Sequence, residues 1–469
     1  MKQNLFILLG IVVTLLEGCT LAPKYTQPEA PIPSSWPGGP AYKKIQTTPG
    51  IPAAVDLKWQ EFFTDERLQM IIKTALNNNR DLRVASLNVE RARALYRIQR
   101  NELLPVVSAV GSGGAERVPA DLSSTGSSYT AEYYSVNLGI IAWEIDFFGR
   151  IRSLEKRALE EYFATEEARR SAQILLVSEL ATAYLTLAAD REALQLSQST
   201  LETQRATYDL IRLRYEKGIA TALDLHQAQT QVDAARVDIA RYTNRVAQDE
   251  NALNLLVGSP VLRDLLPRAL SNVTPPKEIS PGMSSEVLLR RPDILYAENF
   301  LKAAHANIGA ARASLFPRIT LTTAIGTASD ELSGLFKAGR DTWNFSSQIV
   351  LPIFDARAWS ALDATKVDRE IALTQYEKAI QAAFREVADA LAVEGTVEDQ
   401  LAAQQSLVNA VAETYRLSNL RYIKGVDSYL GVLDAQRALR VAEQVLIALR
   451  LARIANQVRL YAVLGGGKD

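Results

Sequence analysis

Side chains equipped for covalent or metal chemistry are scarce in this chain of 469 residues: two histidines, His226 and His305, and one cysteine, Cys19. The histidines are isolated, so the chain offers no Cys/His set for zinc or iron, and a lone cysteine excludes an internal disulfide framework. No Gly-rich phosphate loop, nucleophile elbow or aromatic-flanked acid pair is present, so the sequence reads as no enzyme and implies no metal or cofactor. Lys plus Arg number 52 against 53 Asp plus Glu, a net charge of -1, which gives no bulk electrostatic case for nucleic acid. What remains is a duplicated phrase: LRYEKGIATALDL at 213–225 and LRYIKGVDSYLGV at 420–432. Gly218 and Gly425 hold the same place in each, where a tight turn between helices would call for positive φ.

Cys19 closes a different pattern. MKQNLFILLGIVVTLLEGC opens on a lysine and continues through an apolar run too short to span a bilayer, which is signal-peptide architecture over residues 1–18. Leu16-Glu17-Gly18-Cys19 resembles a bacterial lipobox, with Glu17 departing from the small or apolar residue usual there. That motif implies lipidation of Cys19 and an outer-membrane destination, with three acyl chains as a firm anchor. Residues 19–55 then read as an extended Pro-rich arm.

The elements behind the twin phrases are themselves doubled. A shift of 212 takes Asp81 to Asp293 and Pro105 to Pro317; a shift of 207 takes Arg150 to Arg357, Gly218 to Gly425 and Gly258 to Gly465. The chain is a tandem repeat, residues 56–259 and 293–465, joined by a linker at 260–292 and followed by a tail at 466–469. The second copy is five residues shorter between its equivalents of Pro105 and Arg150, which predicts length variation in an exposed loop, with Ala120–Ser127 as the longer tip.

That variable segment carries β-branched, aromatic and small polar residues, predicting one hairpin per copy at about 105–147 and 317–354. Such hairpins could pack on helices in a soluble protein. Roughly ten residues per strand also suits a tilted transmembrane strand, and four strands fall short of the practical barrel minimum of about eight. After each hairpin a long helix is expected, in the first copy over about 151–212, or about 93 Å. Two shorter helices, 81–103 and 221–257, nearly match that length when stacked. The second of these carries a heptad seam from Leu225 through Val232, Ala235 and Tyr242 to Leu256, as a coiled coil requires.

Several phrases in order, WEIDFFGRIR at 143–152, LLRRPDI at 288–294, ASLFPRITL at 313–321, LPIFDARA at 351–358 and RYIKGVDSYLGVLDAQRAL at 421–439, resemble the outer-membrane factors of Gram-negative efflux systems. The similarity is to TolC-like channels of the OprM-type lipoprotein branch. It implies a mainly α fold with a pair of β-hairpins, in which a long coiled-coil α-barrel in the periplasm adjoins a 12-stranded transmembrane β-barrel shared by a homotrimer. The implied function is a passive outer-membrane exit duct for a proton-driven inner-membrane pump, joined through a periplasmic adaptor. A non-channel periplasmic scaffold is the alternative.

The same resemblance places a closed constriction and the adaptor-docking surface at the helical tips around Gly218 and Gly425. It puts the gate on Leu430, Asp434 and Asp224, and a tie between neighbouring hairpins on Tyr422 and Asp427, although Asp427 replaces a basic residue there. Gly431 stands where some relatives have a further aspartate. For Asp224 and Asp434 the competing role is stabilisation of a helix start, where an acid meets the positive end of the dipole.

Overall fold

The computed structural model describes residues 20–43, 57–280 and 284–466, so the signal segment and Cys19 lie outside the described residues. The principal elements are α1 (Glu66–Asn78), α2 (Arg80–Asn101), β1 (Val107–Val118), β2 (Tyr129–Ile145), α3 (Arg150–Glu216) and α4 (Ala222–Val257). The second copy supplies α5 (Pro292–Ala313), β3 (Arg318–Ser329), β4 (Asp341–Val350), α6 (Ala356–Ile423) and α7 (Tyr429–Val463). The order repeats as the residue shifts require. The two long helices run 67 and 68 residues, slightly beyond the span expected from the sequence.

By contacts the chain divides into two compact units. One combines residues up to Glu29 with Asn88–Glu166 and Tyr296–Tyr376; the other combines Ala30–Leu87, Glu167–Leu295 and Glu377 onward. The first holds an antiparallel sheet in the order β1-β2-β3-β4. Its register puts Leu138, Ile325 and Trp343 on one face and Asn137, Gly326 and Thr342 on the other. Strand periodicity therefore separates an apolar face from one rich in Ser, Thr, Asn and Gln. Within β2 the apolar face is the more exposed, Leu138 at 52% against 2% for Ser135 on the polar face, while β4 is exposed along its whole length, Trp343 at 79%. Ser135 shares a 2.8 Å hydrogen bond with Ser112 and accepts another from Asn137 at 3.2 Å. A soluble hairpin packed on helices would bury the opposite face.

The length difference between the copies does not sit in a loop tip. β2 has 17 residues and β4 has 10, while the hairpin connections, residues 119–128 and 330–340, are nearly equal and the second is the longer. The expectation of a longer Ala120–Ser127 loop is thus corrected: the extra residues extend a strand. A bulge lies between the pairs Ile140–Thr323 and Trp143–Leu321, with Ala142 in the left-handed region at φ 53. One added residue there keeps Ile140 and Trp143 on the same face while bending the strand.

The second unit is helical, and its polar and apolar faces follow the 3.6-residue period. On α4 the buried residues include Ala228, Val232, Ala235, Tyr242 and Leu253, all on the expected seam, joined by Gln231 and Asp238. Asp238 is paired with Arg241 at 2.8 Å and with Arg440 of α7 at 3.3 Å, which satisfies its buried charge. The described part of the Pro-rich arm, residues 20–43, makes contacts in each unit. Tyr25 donates to Glu298 at 2.9 Å in the first, and Trp36 stacks on Phe384 at 5.4 Å in the second.

Candidate functional site

Both tips lie in the helical unit and close by one backbone device. After α3, Gly218 takes φ 72; its N–H donates to the Tyr215 carbonyl at 2.9 Å, and Ile219 N–H reaches the Arg214 carbonyl at 2.8 Å. After α6, Gly425 takes φ 73 and donates to Tyr422 at 3.0 Å, while Val426 N–H reaches Arg421 at 2.9 Å. A Cβ at either glycine would meet open space, so the conformation rather than crowding selects glycine.

The side chains then part company. In the first tip Thr221 caps α4: its Oγ1 accepts from Asp224 N–H at 3.1 Å, and Asp224 Oδ2 accepts from Thr221 N–H at 2.9 Å and Oγ1 at 2.7 Å. This capping box occupies Oδ2 of the Asp224 carboxylate. In the second tip Ser428 holds the N-cap position without a side-chain bond, and Gly431 stands where the box would need an acid. Asp434 falls in the second turn of α7, exposed, and makes no hydrogen bond or ion pair among the described residues. The helix-start role therefore has its hydrogen bonds at Asp224 and none at Asp434. Leu430, one turn before Asp434, is also exposed.

Tyr422 and Asp427 are both engaged within the chain. Arg421 donates to Asp427 through Nε and, at 3.1 Å, through Nη2, and this contact holds the Asp427 carboxyl below its ordinary range. The Tyr422 ring lies 5.0 Å from the Arg214 guanidinium of the first tip and 5.3 Å from Tyr429. Burial raises the Tyr422 hydroxyl above its usual value, with Arg214 opposing. Beneath them Ile211 and Ala228 of the first copy pack with Tyr429, Val432 and Leu433 of the second, so the two tips share one core. The Tyr429 hydroxyl has no partner there, and burial pushes it up to about 12.

Arg214, Thr221, Arg421 and Tyr429 do not figure in the sequence reading of the site. Thr221-x-x-Asp224 carried a legible capping-box signal; the Arg421–Asp427 and Arg214–Tyr422 contacts depend on how the turns fold and carried none. His226 is exposed, and His305 packs edge-on against Tyr25 at 5.5 Å.

Residues 71–259 and 283–466 match the family described as Outer membrane efflux protein. The chain belongs to that family. Each repeat accounts for one matched segment. This outer membrane efflux protein is 49% identical over 463 residues to the toluene efflux pump outer membrane protein TtgC of Pseudomonas putida, covering 98% of this chain and 95% of TtgC. It is likewise 49% identical over 463 residues to the antibiotic efflux pump outer membrane protein ArpC of the same species, with the same coverage. Among solved structures it is similar to the open state of the MtrE outer membrane channel of Neisseria gonorrhoeae, at a TM-score of 0.85 and 36% identity over 96% of this chain and 98% of that one.

Other phrases shared with the family serve as structure in this efflux protein. In WEIDFFGRIR, Asp146 accepts from the N–H groups of Ile151 and Arg152 at 3.0 and 2.9 Å and so starts α3. Glu144 receives Arg150 at 2.8 Å and Arg318 at 2.6 Å, which joins β2, α3 and β3. In LLRRPDI, Arg291 is buried and donates to Asp293, Glu386 and the Val463 carbonyl, clasping α5, α6 and α7.

Proposed function

We propose that three copies of this chain close one 12-stranded barrel in the outer membrane and form a passive exit duct of a tripartite efflux system. The observation that carries this is the sheet: four strands, an uncovered apolar face, and edge strands β1 and β4 each with one side unpaired among the described residues. Unpaired edges and exposed apolar surface are costly in water and are satisfied together by like chains in lipid. Catalysis plays no part in such a duct. An inner-membrane pump, proton-driven, would supply the cargo, and a periplasmic adaptor would meet the hairpin tips around Gly218 and Gly425. Cargo choice would then rest mainly with the pump, in keeping with relatives of equal identity named for toluene and for antibiotics.

At the tips Leu430 forms an apolar constriction and Asp434 a ring of three carboxylates that favours cations, with Asp224 contributing less because its Oδ2 is bonded locally to Thr221. Replacing Leu430 by Ala should raise the resting conductance in planar bilayers. Acylation of Cys19 adds a second anchor beside the barrel. Cys19→Ala should lose palmitate label while still assembling, and label retained by the mutant would refute acylation at that residue. The duct as a whole is tested by purification in detergent: a heat-resistant trimer that gives single-channel steps in a bilayer is expected, and a water-soluble monomer without conductance would overturn it.

A further inference from the structure

A polar cavity of about 590 Å³ in the helical unit lies where the linker turn Arg263–Leu265 packs against α1, away from the hairpin-tip core. Four arginines reach it, Arg67 from α1, Arg191 from α3, and Arg263 and Arg268 from the linker, against two acids, Glu250 and Asp264. Arg191 is already committed: it donates to Glu250 at 2.7 Å and to the Pro267 carbonyl at 2.6 Å, forming a neutral wall. The N–H groups of Arg67 and Leu68 at the start of α1 are taken by Asp65 at 3.0 Å each, so the backbone there offers no free donors to an anion. The guanidinium groups of Arg67, Arg263 and Arg268 make no ion pair or hydrogen bond among the described residues. Among the lining residues only Asp264 stands against them, an excess of two positive charges, and these four residues are exposed, so the groove is open to solvent.

We infer that this cavity binds a phosphate-bearing ligand, with Arg67, Arg263 and Arg268 as its anchors. Guanidinium carries its charge at every physiological pH and pairs with oxyanions through parallel donors. Three unengaged arginines correspond to the three terminal oxygens of a phosphate monoester, where a carboxylate offers two. The doubly negative charge of that group above a second pKa of about 6 matches the excess charge of the pocket. The volume leaves room beyond a phosphate for a small polar group, so an ester should fit at least as well as the free ion. The site occurs once per chain: the linker has no second copy, and the repeat shift takes Arg191 to Glu398.

The test is calorimetric titration of the full-length trimer at low salt with inorganic phosphate, glycerol 3-phosphate and, as a dicarboxylate, succinate. Saturable binding of glycerol 3-phosphate at one per chain is expected. The double variant Arg263→Ala, Arg268→Ala should weaken it by about tenfold or more, and raised salt should weaken it further. Binding of inorganic phosphate with exclusion of the ester would support the same chemistry and assign the free ion as its source. Succinate binding as tightly as the ester, an unchanged affinity in the double variant, or no saturable binding would each overturn the inference. Should the double variant fail to assemble, Asp264→Asn decides: removing the one free acid should tighten phosphate binding severalfold, and no change or a loss would overturn the site.

Discussion

The two hairpin tips fold alike and are charged differently. Their glycines share one φ and one pair of backbone hydrogen bonds, yet the first tip ends in a closed capping box at Thr221 and Asp224 while the second has Ser428 and Gly431 in those places. Duplication has preserved what the chain path requires, since left-handed backbone and satisfied carbonyls leave little choice. What it has let diverge is the use of the acids. In the first tip the carboxylate holds its own helix; in the second, Asp427 holds Arg421 and Asp434 is left unengaged.

The shared core beneath both tips is where the largest effect is expected. Tyr429 is 1% exposed between the copies, so Tyr429→Ala should destabilise this region by about 3–5 kcal/mol, the usual cost of emptying a large aromatic site. Proteolytic nicking at both tips together is the readout; nicking at the second tip alone would show that the core is not shared. Tyr429→Phe removes a buried hydroxyl that lacks a partner and should be neutral or slightly stabilising.

A smaller effect distinguishes the caps. Thr221→Ala should cost about 1 kcal/mol by opening the box, whereas Ser428→Ala, with no side-chain bond to lose, should stay within about 0.5 kcal/mol. Hydrogen exchange at the first turns of α4 and α7 measures both. Equal losses would mean that the caps are equivalent in solution.

Much of this asymmetry was legible in the sequence and some was not. The repeat shift of 207 pairs Thr221 with Ser428 and Asp224 with Gly431, so the missing box in the second copy can be found by alignment alone. The helices, the breaks at Gly218 and Gly425, and both hairpins follow from periodicity and turn chemistry. The extra length of β2 was not legible, because composition does not mark where a strand stops, and the one residue added at the Ala142 bulge leaves no signature either. Nor were Arg214 over Tyr422 and Arg421 on Asp427, which depend on how each turn folds rather than on local pattern.

The smallest effect concerns pH. Asp427 is held low by Arg421, so the contribution of that pair is complete above the unfolded aspartate value near 3.9 and is lost as pH falls through the lower folded value. The second tip should therefore be insensitive between pH 5 and 8 and loosen only in stronger acid, about where model carboxylates begin to protonate. Asp427→Asn should remove that acid-range step in a tip-specific fluorescence titration, and a step that persists would assign it to another carboxylate.

The difference between the two acids is tested most directly by reversal potentials of the purified trimer in a planar bilayer under a salt gradient, comparing wild type, Asp434→Ala and Asp224→Ala. Asp434→Ala is expected to move the potential toward zero, losing cation preference, while Asp224→Ala leaves it close to wild type. An unchanged potential in Asp434→Ala, or the larger shift in Asp224→Ala, would contradict the assignment of the gating charge to the second tip.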